Sequence, residues 1–323
     1  MTCKSHEKGY NLEIMAKHSK SPVDFLKDTD LNKEQVEYLL DMSGKIKKQP
    51  QKFKSTLKGK TVALLFEKAS LRTKFTLQIG IHEMGGYSVI NEGKIPDREP
   101  IADIARNLER WADIIVARVY AQSTLEELAF YARVPVVNAL SNLYHPCQVL
   151  ADMLTLKEQF GDLRKLKLAF VGDGNNVANS LMLTGASLGI DFRIATPKNY
   201  EPDQNVIKKA QSLNLKSGGS LLVTNEIKKA VKGADAIYTD TWVSMGQEHE
   251  ADVRRRDFKN FKVTEKMFKF AGKNAVFMHC LPKHPNEEVE EEVFESKRSL
   301  VFEQAENRLH TIKALLAFFI INQ

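Results

Sequence analysis

Short apolar runs alternate with stretches of helical spacing along almost the whole chain, and this alternation is what most restricts its fold. Residues 61–66, Thr-Val-Ala-Leu-Leu-Phe, read as a buried strand. Phe75, Ile79 and Met84 follow at the spacing of an apolar helix face. A short strand at 87–90 precedes a polar loop at 91–100 and a helical stretch ending at Trp111. Strands at 114–117 and 134–139 then flank a helix at 122–132. The pattern restarts at His145-Pro146, which opens a helix running to Phe160. Strands are expected at 166–171, 192–195, 221–223, 236–238 and 275–278, with an apolar helical segment at 305–321. Runs that are apolar throughout, rather than alternating, suit strands covered on both faces, as in parallel sheets between helices. The simplest account is α/β: two doubly wound parallel-sheet domains joined near 142–145. Their functional loops would lie at the carboxyl ends of the strands.

Polar residues collect at those ends. Arg118 closes the 114–117 run, and His145-Pro146-Cys147-Gln148 follows 134–139. Asp173-Gly174-Asn175-Asn176 follows 166–171, the segment from Asp240 to Gly246 follows 236–238, and His279-Cys280-Leu281-Pro282 follows 275–278. Each has a plainer explanation taken singly: a helix cap, a strand-to-helix turn, a small buried cysteine, or core in the case of Trp242 and Met245. Together they make one rim.

Ser70-Leu71-Arg72-Thr73-Lys74 sits between the first strand and the first helix. Ser70 is placed as N-cap, with Arg72, Thr73 and Lys74 in the first turn. Free amides, hydroxyls and cations at a helix N-terminus make a site for a multiply charged anion, most simply phosphate. An ordinary capped turn leaves Arg72 and Lys74 unexplained, because cations are disfavoured at that end of the dipole.

Composition supports an anionic small molecule rather than nucleic acid. The 323 residues carry a net charge of +6, with no basic stripe interleaved with aromatics and no zinc-finger spacing. Lys45-Ile46-Lys47-Lys48 and Arg254-Arg255-Arg256 read as solvated faces. Three cysteines, Cys3, Cys147 and Cys280, are too few and odd for a disulfide framework and suit a reducing, cytoplasmic compartment. No apolar run is long enough to span a membrane. Residues 1–22 lack the apolar core of a secretory signal and read as a partly disordered extension. The glycine pattern of a dinucleotide site is missing. His279, Cys280 and His284 could hold a metal, but no Cys-x-x-Cys accompanies them.

Taken jointly, these motifs resemble the transcarbamylase family. Ser70-Leu71-Arg72-Thr73-Lys74 is similar to its Ser-Thr-Arg-Thr-Arg phosphate motif, His145–Gln148 to its His-Pro-x-Gln, and Asp173–Asn176 to its Asp-Gly-Asn-Asn turn. Ser244-Met245-Gly246 and His279-Cys280-Leu281-Pro282 resemble the ornithine branch rather than the aspartate branch, and Glu306-Asn307-Arg308 completes the set of family motifs. The likeness covers nearly all of the chain after Pro22. Leu71 stands where the family has threonine and Lys74 where it has arginine, so one hydroxyl and one bidentate fork are lost.

The resemblance implies transfer of the carbamoyl group of carbamoyl phosphate to the δ-amine of ornithine, with no metal or other cofactor. It implies a carbamoyl-phosphate domain at 23–144, an ornithine domain at 145–305, and a C-terminal helix at 306–323 packing back onto the first. Ser70, Arg72 and Thr73, with the Leu71 amide, would hold the phosphate. Arg118, His145, Gln148, Cys280, Leu281 and Arg308 would meet the carbamoyl end. Asn176, Asp240, Ser244 and Met245 would hold ornithine, with Cys280 and Asp240 facing its δ-amine. The family is trimeric, and Lys94 of a neighbouring subunit would reach into the site. The partners implied are these substrates and further copies of the chain, with no nucleic acid and no membrane. Competing readings are a carbamoyltransferase for another amine, such as putrescine or an acylated ornithine, a non-catalytic homologue, and a dinucleotide-dependent oxidoreductase.

Overall fold

The computed structural model describes residues 24–244 and 246–321. The extension 1–22 and Met245 therefore lie outside the described residues.

Two parallel sheets carry the fold. The first contains β1 (Thr61–Phe66), β2 (Tyr87–Glu92), β3 (Ile114–Arg118) and β4 (Val136–Leu140), in the order β2-β1-β3-β4. Between them run α1 (Lys33–Lys48), which precedes β1, and α2 (Arg72–Glu83), α3 (Ile101–Trp111) and α4 (Gln122–Tyr131). The chain leaves β1 for β2 on one side and then returns to place β3 on the other. The strand order thus reverses between β1 and β3, which opens a crevice at their carboxyl ends.

Helix α5 (Pro146–Phe160) links the sheets and is buried on all faces through Leu156. The second sheet contains β5 (Lys167–Val171), β6 (Asp191–Ala195), β7 (Ser220–Thr224), β8 (Ala236–Thr239) and β9 (Val276–His279), in the order β7-β6-β5-β8-β9. Its helices are α6 (Asn176–Leu188), α7 (Gln204–Ser217), α8 (Ile227–Val231), α9 (Ala251–Phe258), α10 (Glu265–Phe268) and α11 (Glu291–Phe294). Here the order reverses between β5 and β8. The loops after β1, β3, β5 and β8 therefore border two crevices of the same origin.

The last helix, α12 (Val301–Ile321), packs on α1, α2 and α5, returning the chain to the first sheet. Ile312, Leu315, Leu316 and Phe319 join a core that runs from Val62 and Leu64 of β1 to Leu168 and Phe170 of β5. At roughly 1.5–3 kcal/mol per buried large aliphatic side chain, this shared core holds the two sheets together.

Three expectations are corrected. The buried row of α2 is Thr73, Leu77, Gly80 and Ile81, while Phe75 and Ile79 are 54% and 42% exposed. Both rows repeat at helical spacing; α12 packs on the Gly80 row, through Leu309, Ile312 and Lys313. Met84 is buried as read. Ser70 is not the N-cap: Leu71 occupies that position in a helical conformation with no side-chain cap bond, and its carbonyl accepts from the Phe75 amide. Arg254 is not solvated, since it is buried against Asp173 at 2.8 Å, and Ile46 is buried as well.

Candidate active site

The loop after β1 is held by Glu67. Its carboxylate accepts the backbone N–H of Ile95 at 2.7 Å and of Tyr120 at 2.8 Å, and its own N–H donates to the Arg118 carbonyl at 2.9 Å. The loops after β1, β2 and β3 are thereby tied to one side chain. From Lys68 to Thr73 the chain then lines a cavity of about 300 Å³ between the two sheets.

Four cations line this cavity. Lys68 and Arg72 come from the β1 loop and the α2 start, Arg118 from the end of β3, and Arg308 from α12. Burial lowers the pKa of all four; Arg118 falls to about 10, with Arg308 and Arg72 adding to the effect. Four crowded positive groups in one pocket are stabilised by an anion. Arg308 donates from Nη1 to Gln148 Oε1 at 2.9 Å and from Nη2 to Thr73 Oγ1 at 2.6 Å. Arg118 Nε and Arg308 Nε are buried without a partner. With no acidic residue in its first turn and no side-chain cap, α2 adds its free amides beside Ser70 and Leu71.

His145 opens α5, and its N–H donates to Ser180 Oγ at 2.9 Å. Burial, followed by the Arg308 and Arg118 charges, pushes its pKa well below the ordinary histidine value, so the ring is neutral and can donate one hydrogen bond.

The same cavity holds an acidic group. Asp240, following β8, accepts the Cys280 Sγ–H at 2.9 Å and the Thr241 N–H at 2.8 Å on Oδ1, and Asn175 Nδ2 at 2.7 Å on Oδ2. Burial and the Asp240 charge raise the Cys280 pKa well above its ordinary value, so the sulfur stays a thiol. Asn175 caps α6, accepting from Val177 and Ala178, and Asn176 donates to the Ser141 carbonyl at 2.7 Å. Gly174 is required in this turn, because a Cβ there would lie 2.3 Å from the Pro202 nitrogen. His279 turns away from the cavity: Nδ1 accepts the Leu281 N–H at 2.8 Å, which leaves Nε2 to donate to Glu288 at 3.0 Å.

Ser70, Leu71, Arg72, Thr73, Arg118, His145, Gln148, Asn176, Asp240, Ser244, Cys280, Leu281 and Arg308 all line this one cavity. Lys94 is exposed on the loop after β2, and Lys74 pairs with Glu92 at 2.9 Å. Sequence reasoning missed Lys68, although a second cation two residues before Ser70 was a usable signal. It also missed Thr241 and Pro282.

Among the described residues, Asp240, His279 and Cys280 bring ligand atoms within 4.8 Å of one another. Cys280 gives its proton to Asp240, and both His279 nitrogens are committed, to Leu281 and Glu288. His284, Glu287 and Glu288 form a second such group, in which Glu287 also pairs with Arg255.

Residues 23–158 match the family model described as aspartate/ornithine carbamoyltransferase, carbamoyl-P binding domain, and residues 164–319 the Asp/Orn binding domain of the same family. An ornithine carbamoyltransferase of Carboxydothermus hydrogenoformans is 45% identical over 302 residues, 92% of this chain and 97% of that one. The solved ornithine carbamoyltransferase of Pyrococcus furiosus superposes with a TM-score of 0.89 at 44% identity, covering 92% of this chain and 96% of that one. The anabolic ornithine carbamoyltransferase of Campylobacter jejuni gives 0.89 at 39%, covering 93% and 99%.

Proposed function

The chain belongs to the aspartate/ornithine carbamoyltransferase family, and we infer that the cavity described above carries out its reaction: transfer of the carbamoyl group of carbamoyl phosphate to the δ-amine of L-ornithine, giving L-citrulline and phosphate. The observation that carries the assignment of roles is that one cavity gathers four cations, Lys68, Arg72, Arg118 and Arg308, together with the Asp240–Cys280 pair.

In this reading the phosphate lies against the α2 amides, Ser70, Arg72 and Thr73. The carbamoyl oxygen faces Arg118 and neutral His145, which donate to it as negative charge builds during attack. The ornithine δ-amine approaches past Asp240 and Cys280. Because Cys280 remains a thiol that donates to Asp240, the Asp240 carboxylate is the group of this pair that can accept hydrogen bonds from the amine. An amine of this kind has a reference pKa of about 10.4 and must shed a proton before it attacks. The new C–N bond forms, the C–O bond to phosphorus breaks, and the departing phosphate can take the surplus proton. Asn176 and Ser244 would hold the amino-acid end of ornithine, with Met245 on the same loop.

We propose a carbamoyl-phosphate domain at 23–144 and an ornithine domain at 145–305, each built around one of the two sheets. A homotrimer is supported by the exposed apolar row of Leu71, Phe75 and Ile79 beside Tyr87 and Val89 on the edge strand β2. Lys94 of a neighbour would then complete the site. No helix among the described residues is long and apolar enough to cross a membrane, and a cytoplasmic enzyme is proposed.

A panel of amines with carbamoyl phosphate, scored for ureido product, tests the function. Turnover with ornithine, and not with putrescine or N-acetylornithine, is the expected result; preference for either of those would reassign the acceptor, and a flat panel would leave a binding homologue. Light scattering gives the subunit number, and an unchanged carbamoyl-phosphate KM in Lys94→Ala would remove that residue from the site.

A further inference from the structure

Asp152 lies on α5 one turn after Gln148, is fully buried and does not line the cavity. Its Oδ1 accepts Gln148 Nε2 at 2.8 Å and Gln304 Nε2 at 2.7 Å, and its Oδ2 accepts the Tyr238 hydroxyl at 3.1 Å. These three neighbours come from α5, α12 and β8.

The chemistry of the partners forces each amide into one orientation. Gln304 meets the backbone N–H of His279 at 3.0 Å, and an N–H can only donate, so the Gln304 oxygen faces His279 and its nitrogen faces Asp152. Gln148 meets the Arg308 guanidinium, which can only donate, so its oxygen faces Arg308 and its nitrogen faces Asp152. Both nitrogens converge on Oδ1, so Gln148 and Gln304 share one carboxylate oxygen.

The consequence is at the cavity wall. The cationic side chains lining the cavity, Lys68, Arg72, Arg118 and Arg308, only donate hydrogen bonds. Gln148 presents a carbonyl oxygen among them, and that oxygen has a second lone pair beyond the one given to Arg308. An acyl phosphate bearing an NH2 group can use this acceptor, and one bearing a methyl group cannot. We propose that Asp152 is a positioning residue which, by holding the Gln148 amide nitrogen, keeps the carbonyl turned to the cavity and so lets the site select carbamoyl phosphate over acetyl phosphate. This rests on the assignment of Gln148 to the carbamoyl end.

The test compares two ligands that differ only in that group: the KM of carbamoyl phosphate and the Ki of acetyl phosphate as a competitor. Asp152→Ala is expected to raise the first about tenfold and the second less than about twofold, the loss of one oriented hydrogen bond. Asp152→Asn, which keeps an oxygen at Oδ1, is expected to stay within about threefold of wild type in both. Should Asp152→Ala fail to fold, the same ratio is read on Asp152→Ser, whose hydroxyl is too short to reach the amide. Equal weakening of both ligands would reduce Asp152 to a structural role and overturn the proposal, as would loss of discrimination in Asp152→Asn. A wild-type protein that makes no citrulline would overturn the functional reading instead.

Discussion

Arg308 Nη2 donates to Thr73 Oγ1 over 2.6 Å, joining two buried residues 235 positions apart in the chain. The same guanidinium reaches Gln148 through Nη1, so one fork spans α2 and α5 from α12. Lysine keeps the charge but cannot make both bonds at once. Arg308→Lys is expected to lower kcat/KM for carbamoyl phosphate by roughly 10- to 100-fold, as hydrogen bonds from charged groups are each worth about 1.5–3 kcal/mol. Steady-state kinetics check this, with the ornithine KM as the internal control.

Lys68 lines the cavity with its ammonium 4.7 Å from the centre of the Tyr120 ring. Removing its charge while keeping its stem, as in Lys68→Met, is expected to raise the carbamoyl-phosphate KM about tenfold, near 1.4 kcal/mol. The ornithine KM should not move. An inhibition series with inorganic phosphate would show the same loss if Lys68 acts on the phosphoryl group.

Asp28 is buried against α6, accepting from Ser180 Oγ at 2.5 Å and Thr184 Oγ1 at 3.0 Å. Burial raises its pKa from 3.8 to about 6, the two hydroxyls opposing the shift. The folded state therefore holds the proton more tightly than the unfolded chain. The associated stability is present below about pH 4 and is lost as pH rises through 6. Asp28→Asn removes that loss and is expected to stabilise the protein at pH 8 by on the order of 2–3 kcal/mol, with no gain at pH 4. Urea titrations at the two pH values test the sign.

A methyl group at Gly174 would meet three backbone atoms, those of Pro202, Glu201 and Tyr200, at 2.3, 2.5 and 2.7 Å. Backbone on this scale cannot step aside as a side-chain tip can. Gly174→Ala is expected to cost more than about 2 kcal/mol in a chemical melt and to raise the ornithine KM, because the turn carries Asn175 and Asn176.

Cys280 is held as a thiol by burial and by the Asp240 carboxylate. In a background with Cys3 and Cys147 both replaced by serine, modification by a disulfide reagent is expected to be slow at neutral pH and to accelerate only in strongly alkaline solution. Rapid reaction at neutral pH would mean that the sulfur is ionised or open to solvent.

The architecture was legible because strands covered on both faces leave unbroken apolar runs, and because motifs at strand ends mark the crevice. The misreadings all depended on neighbours. Phe75 and Ile79 match a helix face as well as Leu77 and Ile81 do, and only the approach of α12 to Gly80 separates the two rows. Arg254 looks like part of a charged surface until Asp173 is placed beside it. Lys68 follows a strand like many lysines, and its role depends on the Glu67 clamp that turns the loop inward. The orientation of the Gln148 amide depends on Arg308, 160 positions away, and has no local sequence signal.

Since Arg308 stands on α12, it is synthesised after every other residue lining the cavity. Chains grow from the N-terminus and domains fold in that order. Both sheets can thus be laid down while the anion pocket still lacks one of its four cations. A nascent polypeptide would have no competent donor site until its closing helix docks, so catalysis begins only once the whole assembly is in place.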